Sequence, residues 1–102
     1  MTKLSMKAQF VAERTLVCAE DPEQRIVVRL AKPACNPKTK GYECVFSITG
    51  RRVSLVRLAA GFDGVQALQL ALVMIGAEIG RIEKALGIRL RFGDSENAGF
   101  PS

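Results

Sequence analysis

The chain has no histidine and no tryptophan among its 102 residues, and its carboxylates are few. Without histidine, Ser-His and Cys-His catalytic pairs and imidazole-ligated metal sites are excluded. Glu78 and Glu83 stand five residues apart, a spacing that does not place two side chains on one helix face. A glycine-rich phosphate loop is also missing. We therefore expect no catalytic residues, no metal site, no cofactor and no enzymatic activity.

Cysteines and long apolar runs are scarce as well. Cys18, Cys35 and Cys44 form an odd set without metal-site spacing. The first residues contain no apolar export signal, and the densest apolar run, Leu70 to Ala77, is far shorter than the roughly 20 residues of a membrane span. We expect a cytoplasmic bacterial protein with reduced thiols and no membrane segment.

The net charge of +5 is concentrated in one third of the chain. The stretch from Arg25 to Arg57 contains eight basic residues and one acidic residue, Glu43, whereas each flanking part has a net charge of −1. Such a stretch predicts a basic surface that attracts phosphates or an acidic protein. The candidate partner residues on this surface are Arg25, Arg29, Arg51 and Arg52.

Alternating apolar residues and turn signals predict a four-stranded antiparallel meander followed by one long helix on one face, an α+β fold. The predicted strands cover residues 8–19, 25–32, 42–49 and 52–60, with a possible short fifth strand at 89–92. We expect residues 1–102 to form a single domain, with 1–7 and 93–102 as flexible ends. Arg14 is expected either at the sheet margin with its charge in water or buried beside a carboxylate.

The clearest element is a helix from Asp63 to Leu86. Its apolar residues recur at spacings of three and four and are Val65, Leu68, Leu72, Ile75, Ile79, Ile82 and Leu86. A stripe of this kind faces a core. Asp63 and Gln66 predict a capping box at the start, and Gly87 predicts a left-handed cap at the end.

The helix carries a second set of apolar residues away from this stripe. They are Leu70, Val73, Met74 and Ala77. A helix covered on one side does not need them, so they form a candidate dimer face, unless the N-terminal segment or the tail of the same chain covers them. Gly76 and Gly80 each cost about 1 kcal/mol relative to alanine in a helix, which predicts close approach by another backbone.

The string GFDGVQALQLAL, from Gly61 to Leu72, resembles a family of small bacterial proteins of unknown function whose helix starts with Gly-x-Asp-x-x-Gln-Ala-Leu. The opening VAERTL, from Val11 to Leu16, and the closing Gly99-Phe100-Pro101 are similar to the ends of that family. The resemblance spans most of the chain and implies mainly structural roles for its motifs. It implies a tail that docks on the protein, and no established activity.

The sequence favours a non-enzymatic protein-interaction module, acting as a homodimer or as a small adaptor or neutralising partner. The alternative is a nucleic-acid-binding module that uses the four candidate arginines. That alternative lacks outward aromatic side chains for base stacking, because Tyr42 and Phe46 fall on the inward face of their strand.

Overall fold

The structure is a computed structural model that describes residues 9–101. Its elements are β1 (Phe10–Cys18), β2 (Arg25–Ala31), β3 (Ala34–Cys35), β4 (Tyr42–Gly50), β5 (Ser54–Gly61), α1 (Gly64–Leu86) and β6 (Leu90–Arg91). The predicted α+β fold of antiparallel strands, one long helix and a short final strand is confirmed. The two-residue strand β3 was not predicted. The predicted flexible end at residues 1–7 lies outside the described residues.

The strands form one antiparallel sheet in the order β5-β4-β2-β1-β6. Because β5 occupies one edge of β4 along its whole length, β3 pairs with the other edge. On that edge β3 lies in line with β2, beyond the end of the β2–β4 pairing. Helix α1 packs on β4 and β5. Its closest contacts are therefore with the half of the sheet that ends at the β5 margin, although the core also includes residues of β1 and β2.

One face of the sheet meets the helix, and the alternation of side chains along each strand decides which residues it contains. The inward register predicted for β4 is confirmed, since Cys44, Phe46 and Ile48 are fully buried. Ala59 lies opposite Cys44 and Leu55 opposite Ile48, so the odd-numbered residues of β5 face the helix as well.

Both predicted caps of α1 are present. The Asp63 carboxylate accepts a hydrogen bond from the Gln66 N–H at 2.8 Å, while the Gln66 side-chain oxygen accepts from the Phe62 N–H at 2.6 Å. Gly87 has a φ of 65°, and its N–H donates to the Glu83 carbonyl. These local bonds satisfy backbone groups that a helix end otherwise leaves free.

The predicted core stripe of α1 is right in its second half and wrong in its first. Ile75, Ile79 and Ile82 are buried, but at the start of the helix the buried residues are Ala67 and Ala71. Val65 and Leu68, which were predicted to face the core, are exposed instead. The helix packs mainly on β4 and β5, and its early turns meet the sheet through small residues, so the larger side chains on their flank stay uncovered.

The C-terminal tail packs against the helix. Ala98 is buried, and Phe100 packs on the core. A side chain at Gly76 would collide with the Pro101 carbonyl oxygen, so the predicted close approach of a backbone is confirmed there. At Gly80 the same prediction is wrong, since nothing in residues 9–101 lies within 4 Å of the point that a Cβ atom would occupy. The predicted loose end is therefore corrected for residues 93–101.

Candidate interaction surfaces

Three of the four candidate arginines lie together at one end of the sheet. Arg25 begins β2, and Arg51 and Arg52 form the turn between β4 and β5, which the Gly50 N–H closes by donating to the Val53 carbonyl at 2.7 Å. All three arginines line one small cavity of about 10 Å³, room for at most one water. This end therefore presents exposed guanidinium groups but no enclosed ligand site.

The fourth arginine, Arg29, lies apart from the others. It sits in the middle of β2 on the sheet face away from the helix. Its Nε donates to the Glu13 carboxylate at 3.2 Å, and its Nη1 donates to the Thr49 hydroxyl at 3.4 Å. Because its charge is already paired across the strands, Arg29 does not extend the arginine cluster.

The basic stretch of the sequence does not form one surface. Successive strands reverse direction, so Lys38 and Lys40, in the loop before β4, lie at the opposite end of the sheet from the arginine turn. The β1–β2 turn brings Glu20, Asp21 and Glu23 to the arginine end. The local excess of positive charge is therefore smaller than the count along the chain predicts.

Two arginines outside the predicted set also reach the arginine end. Arg91 pairs with Val17, whose other neighbour is Arg25. Arg89 donates from its backbone N–H and its Nε to the Glu20 carboxylate, at 3.1 and 3.4 Å. The backbone bond from Arg89 is the main cause that lowers the pKa of Glu20 below its usual range. No local sequence pattern could indicate this contact, because its partners are 69 residues apart.

The predicted dimer face is largely exposed. Leu70 and Val73 have 41% and 47% of their surface open to solvent, and Ala77 is also exposed, whereas Met74 packs partly on the core. Further apolar side chains are exposed at the beginning of the helix. They are Phe62 at 90%, Val65 at 65% and Leu68 at 37%. Helix α1 thus carries an apolar outer surface that nothing in residues 9–101 covers.

The two flanks of α1 differ in what covers them. Gly76 faces the tail, which lies above β1. Met74 and Leu70 are about 200° and 240° around the helix from Gly76, so they lie on the other flank, above the β5 margin. We call the Gly76 side the tail flank, and the side formed by Leu70, Met74 and Ala77 the open flank. Of the two alternatives for covering the open flank from within the chain, the tail is excluded for residues 93–101, and the N-terminal segment lies outside the described residues.

Arg14 holds the tail in place. Its guanidinium carbon lies 4.1 Å from the centre of the Phe92 ring and 4.9 Å from that of Phe100. Its Nη1 donates to the carbonyl oxygens of Ala98 and Gly99, at 3.2 and 3.1 Å. A planar cation can stack on rings and donate in its own plane at the same time. The alternative of a buried Arg14 beside a carboxylate is therefore wrong, and the half-buried guanidinium at the sheet margin contacts aromatic rings and carbonyls.

The three cysteines are free thiols. Cys18 and Cys44 are buried, and Cys35 is exposed on β3. Burial raises the pKa of the Cys44 thiol, which donates to the Ala31 carbonyl at 3.4 Å. A protonated buried thiol is a poor nucleophile. Within residues 9–101 no group of three cysteine or carboxylate side chains is placed to hold a metal ion.

Helix α1 is long and apolar enough to cross a membrane by length and composition. Its 18-residue window has a mean hydropathy of 1.4, and 28% of that window is buried. No uninterrupted apolar run in the sequence is long enough to span a membrane, but the mean hydropathy of an 18-residue stretch also includes the polar residues within it. Core helices of water-soluble proteins meet the same criterion, and α1 packs on two strands, so the finding is weak evidence for a membrane.

Comparison with known proteins adds a family but no activity. A family model described as "Domain of unknown function (DUF6968)" matches residues 12–102, which include all the surfaces described above. Searches among curated proteins and among solved structures gave no match. The match agrees with the resemblance to an uncharacterised family.

Proposed function

Given that the chain belongs to the DUF6968 family, a domain of unknown function, we propose that it is a non-enzymatic, cytoplasmic protein-interaction module. The binding surface in this proposal is the exposed apolar side of α1. The partner is a second copy of the chain or another protein with a complementary apolar groove.

The observation that carries this proposal is the run of exposed apolar side chains at the start and in the middle of α1. Phe62, Leu70 and Val73 are large, and each has more than two fifths of its surface in solvent. Several large exposed apolar side chains on one element of a folded protein are typical of interaction sites, because water contact with them is unfavourable. Polar residues such as Gln66 and Gln69 lie among them, as is usual at a partner-binding surface.

A pull-down with nuclease-treated extract tests this proposal. The bait variants are the wild type, Leu70→Glu/Val73→Glu and the control Gln69→Glu, which adds a charge to an exposed position of the same helix. We expect the wild type and the control to retain a protein partner and the double variant to lose it, because a buried carboxylate in an apolar interface is unfavourable. Equal capture by all three baits would contradict the proposal, and so would a wild type that captures no protein and is also monomeric when purified.

The second candidate function is nucleic-acid binding at the arginine end of the sheet. It is favoured by the side-by-side placement of Arg25, Arg51 and Arg52 around one cavity. It is weakened by the acidic β1–β2 turn at the same end and by the ion pair of Arg29. If this candidate is correct, affinity for a short duplex falls steeply as salt rises, and Arg51→Gln/Arg52→Gln reduces both the affinity and the salt slope.

A further inference from the structure

The outer edge of β5 is an open pairing edge. β5 pairs with β4 along its whole length, and nothing in residues 9–101 pairs with its second edge. Gly50 and Val53 form a hydrogen-bonded pair at the start of this hairpin, so the alternation of an antiparallel ladder directs the backbone groups of Ser54, Val56, Leu58 and Ala60 outward. Free N–H and C=O groups in such a row form a template for another strand.

The opposite margin of the sheet is interrupted, whereas the open edge of β5 is continuous. There β1 pairs with β6 at Val17 and Cys18, and its register shifts between Phe10 and Ala12. Irregular pairing and charged side chains such as Glu13 are common means of preventing strand addition. β5 has eight residues, no proline, and one charged side chain, Arg57, which is paired with Glu78.

We propose that two copies of this chain pair through the edges of β5, antiparallel about a two-fold axis, to give one continuous sheet with the two α1 helices side by side. This inference rests on the proposed function and names its partner as a second copy. The open flank of α1 lies above this same margin, so a single contact covers both the free strand edge and the apolar residues of the open flank.

The spacing of the layers supports this arrangement. Neighbouring strands lie about 4.8 Å apart, so the two-fold axis would pass about 2.4 Å outside β5. Contact of α1 with both β4 and β5 is consistent with a helix axis midway between them, roughly 2.4 Å inside β5. The two helix axes would then be about 10 Å apart, which matches the 8–10 Å of packed helices.

Symmetry limits the register of the strand pair. A two-fold axis normal to the sheet places one residue opposite its own copy, so that both side chains lie on one face. Arg57 at that position would bring like charges together, which is unfavourable. With Val56 on the axis, only residues 54–58 of the strand would pair with the second copy. With Leu58 on the axis, residues 55–61 would pair. Leu58 therefore gives the longest pairing without opposed charges.

This register also brings apolar helix residues to the axis. Two contacts relate positions along β5 to positions along α1: Gly61 lies beside Ala67, and Arg57 reaches Glu78 at 3.9 Å. Leu58 lies between Gly61 and Arg57 in the strand, so along the helix it is nearest to Met74 and Ala77. The small side chain of Ala77 allows the close helix approach that the strand spacing requires.

The area is adequate for a stable dimer. Eight residues of β5 extend about 26 Å. The sheet and the helix with their side chains together are roughly 20 Å thick, which gives about 500 Å² for each copy. The sum, on the order of 1,000 Å² before surface roughness is counted, reaches the lower limit for a specific interface.

Disulfide crosslinking tests the register directly. In a Cys35→Ser background, which removes the exposed native thiol, Leu58→Cys places two thiols across the axis with Cα atoms about 5.5 Å apart. The control Ser54→Cys lies on the same strand and face, but its two copies would be roughly 26 Å apart. We expect mild oxidation to convert most of the Leu58→Cys protein, and little of the Ser54→Cys protein, to a covalent dimer.

The molar mass of the purified chain at micromolar concentration completes the test. We expect twice the chain mass for the wild type, and a monomer for Val56→Pro, which removes an outward N–H that the β4–β5 pairing does not use. A monomeric wild type, or a dimer in which Leu58→Cys crosslinks no better than Ser54→Cys, overturns the pairing through β5. Neither result affects capture of a different protein in the pull-down, so the proposed function fails or stands separately.

Discussion

The two flanks of α1 differ in whether the chain itself covers their apolar surface. On the tail flank, Gly76 lets the chain's own end lie directly on the helix backbone, and Arg14 fixes that end from β1. On the open flank, Leu70 and Ala77 are exposed beside an unpaired strand. The chain therefore completes its own packing on one side and leaves the other side available to a partner.

The largest expected effect comes from filling the tail flank. Gly76→Ala places a methyl group against the Pro101 carbonyl, so the tail must move or the helix must shift. Overpacking of this kind costs typically 1–3 kcal/mol, and we expect the free energy of unfolding to fall by about 2 kcal/mol. Urea denaturation followed by circular dichroism measures the change.

Gly80→Ala is the matched control for this prediction. It lies one turn further along the same helix, and nothing in residues 9–101 lies near its Cβ position. Alanine is the better helix former, so this variant should gain about 0.5–1 kcal/mol. If the two alanine variants were equally stable, the tail would not be held against Gly76.

A smaller loss of stability is expected when the contacts between Arg14 and the tail are removed. Arg14→Met keeps the length of the side chain but removes its two hydrogen bonds and its stacking on Phe92 and Phe100. A partly exposed cation–π contact and hydrogen bonds of this kind together contribute about 1–2 kcal/mol. We expect limited proteolysis to cut between residues 93 and 101 faster than in the wild type.

Arg14→Lys separates the charge from the planar shape in this prediction. Lysine retains the positive charge, but its ammonium group is not planar. It therefore cannot stack on an aromatic ring while donating hydrogen bonds to carbonyls beside that ring. We expect an intermediate proteolysis rate. A Lys variant as resistant as the wild type would show that charge alone holds the tail.

The parts of the fold that were predictable are those with signals contained in a few residues. Asp63 with Gln66 and the glycine at position 87 bound the helix because a cap needs only its own turn. The alternation from Tyr42 to Thr49 indicated the inward face of β4 for the same reason. A strand as short as β3 has too few residues to show a pattern.

The predictions that were wrong concern features that depend on where distant segments of the chain meet. The helical repeat of Val65 and Leu68 predicted burial, but burial also needs another segment to cover that side of the helix, and none in residues 9–101 does so. The basic stretch was continuous in sequence, yet strand reversal sent Arg51 and Lys38 to opposite ends of the sheet. The clamp at Arg14 joins positions more than 80 residues apart, for which one sequence offers no signal.

The smallest expected effect tests the open flank itself. Leu70→Gln removes apolar surface that is partly exposed in the single chain, so in dilute protein we expect a loss of only about 0.5 kcal/mol. If two copies bury this residue, the loss grows with protein concentration, since association stabilises the wild type by mass action. Leu68→Gln is the control, because Leu68 has similar exposure but lies about 200° around the helix from Leu70, away from the β5 margin. Melting temperatures measured over a range of concentrations should therefore diverge for Leu70→Gln and stay parallel for Leu68→Gln; parallel curves for both would mean that the open flank does not meet a second copy.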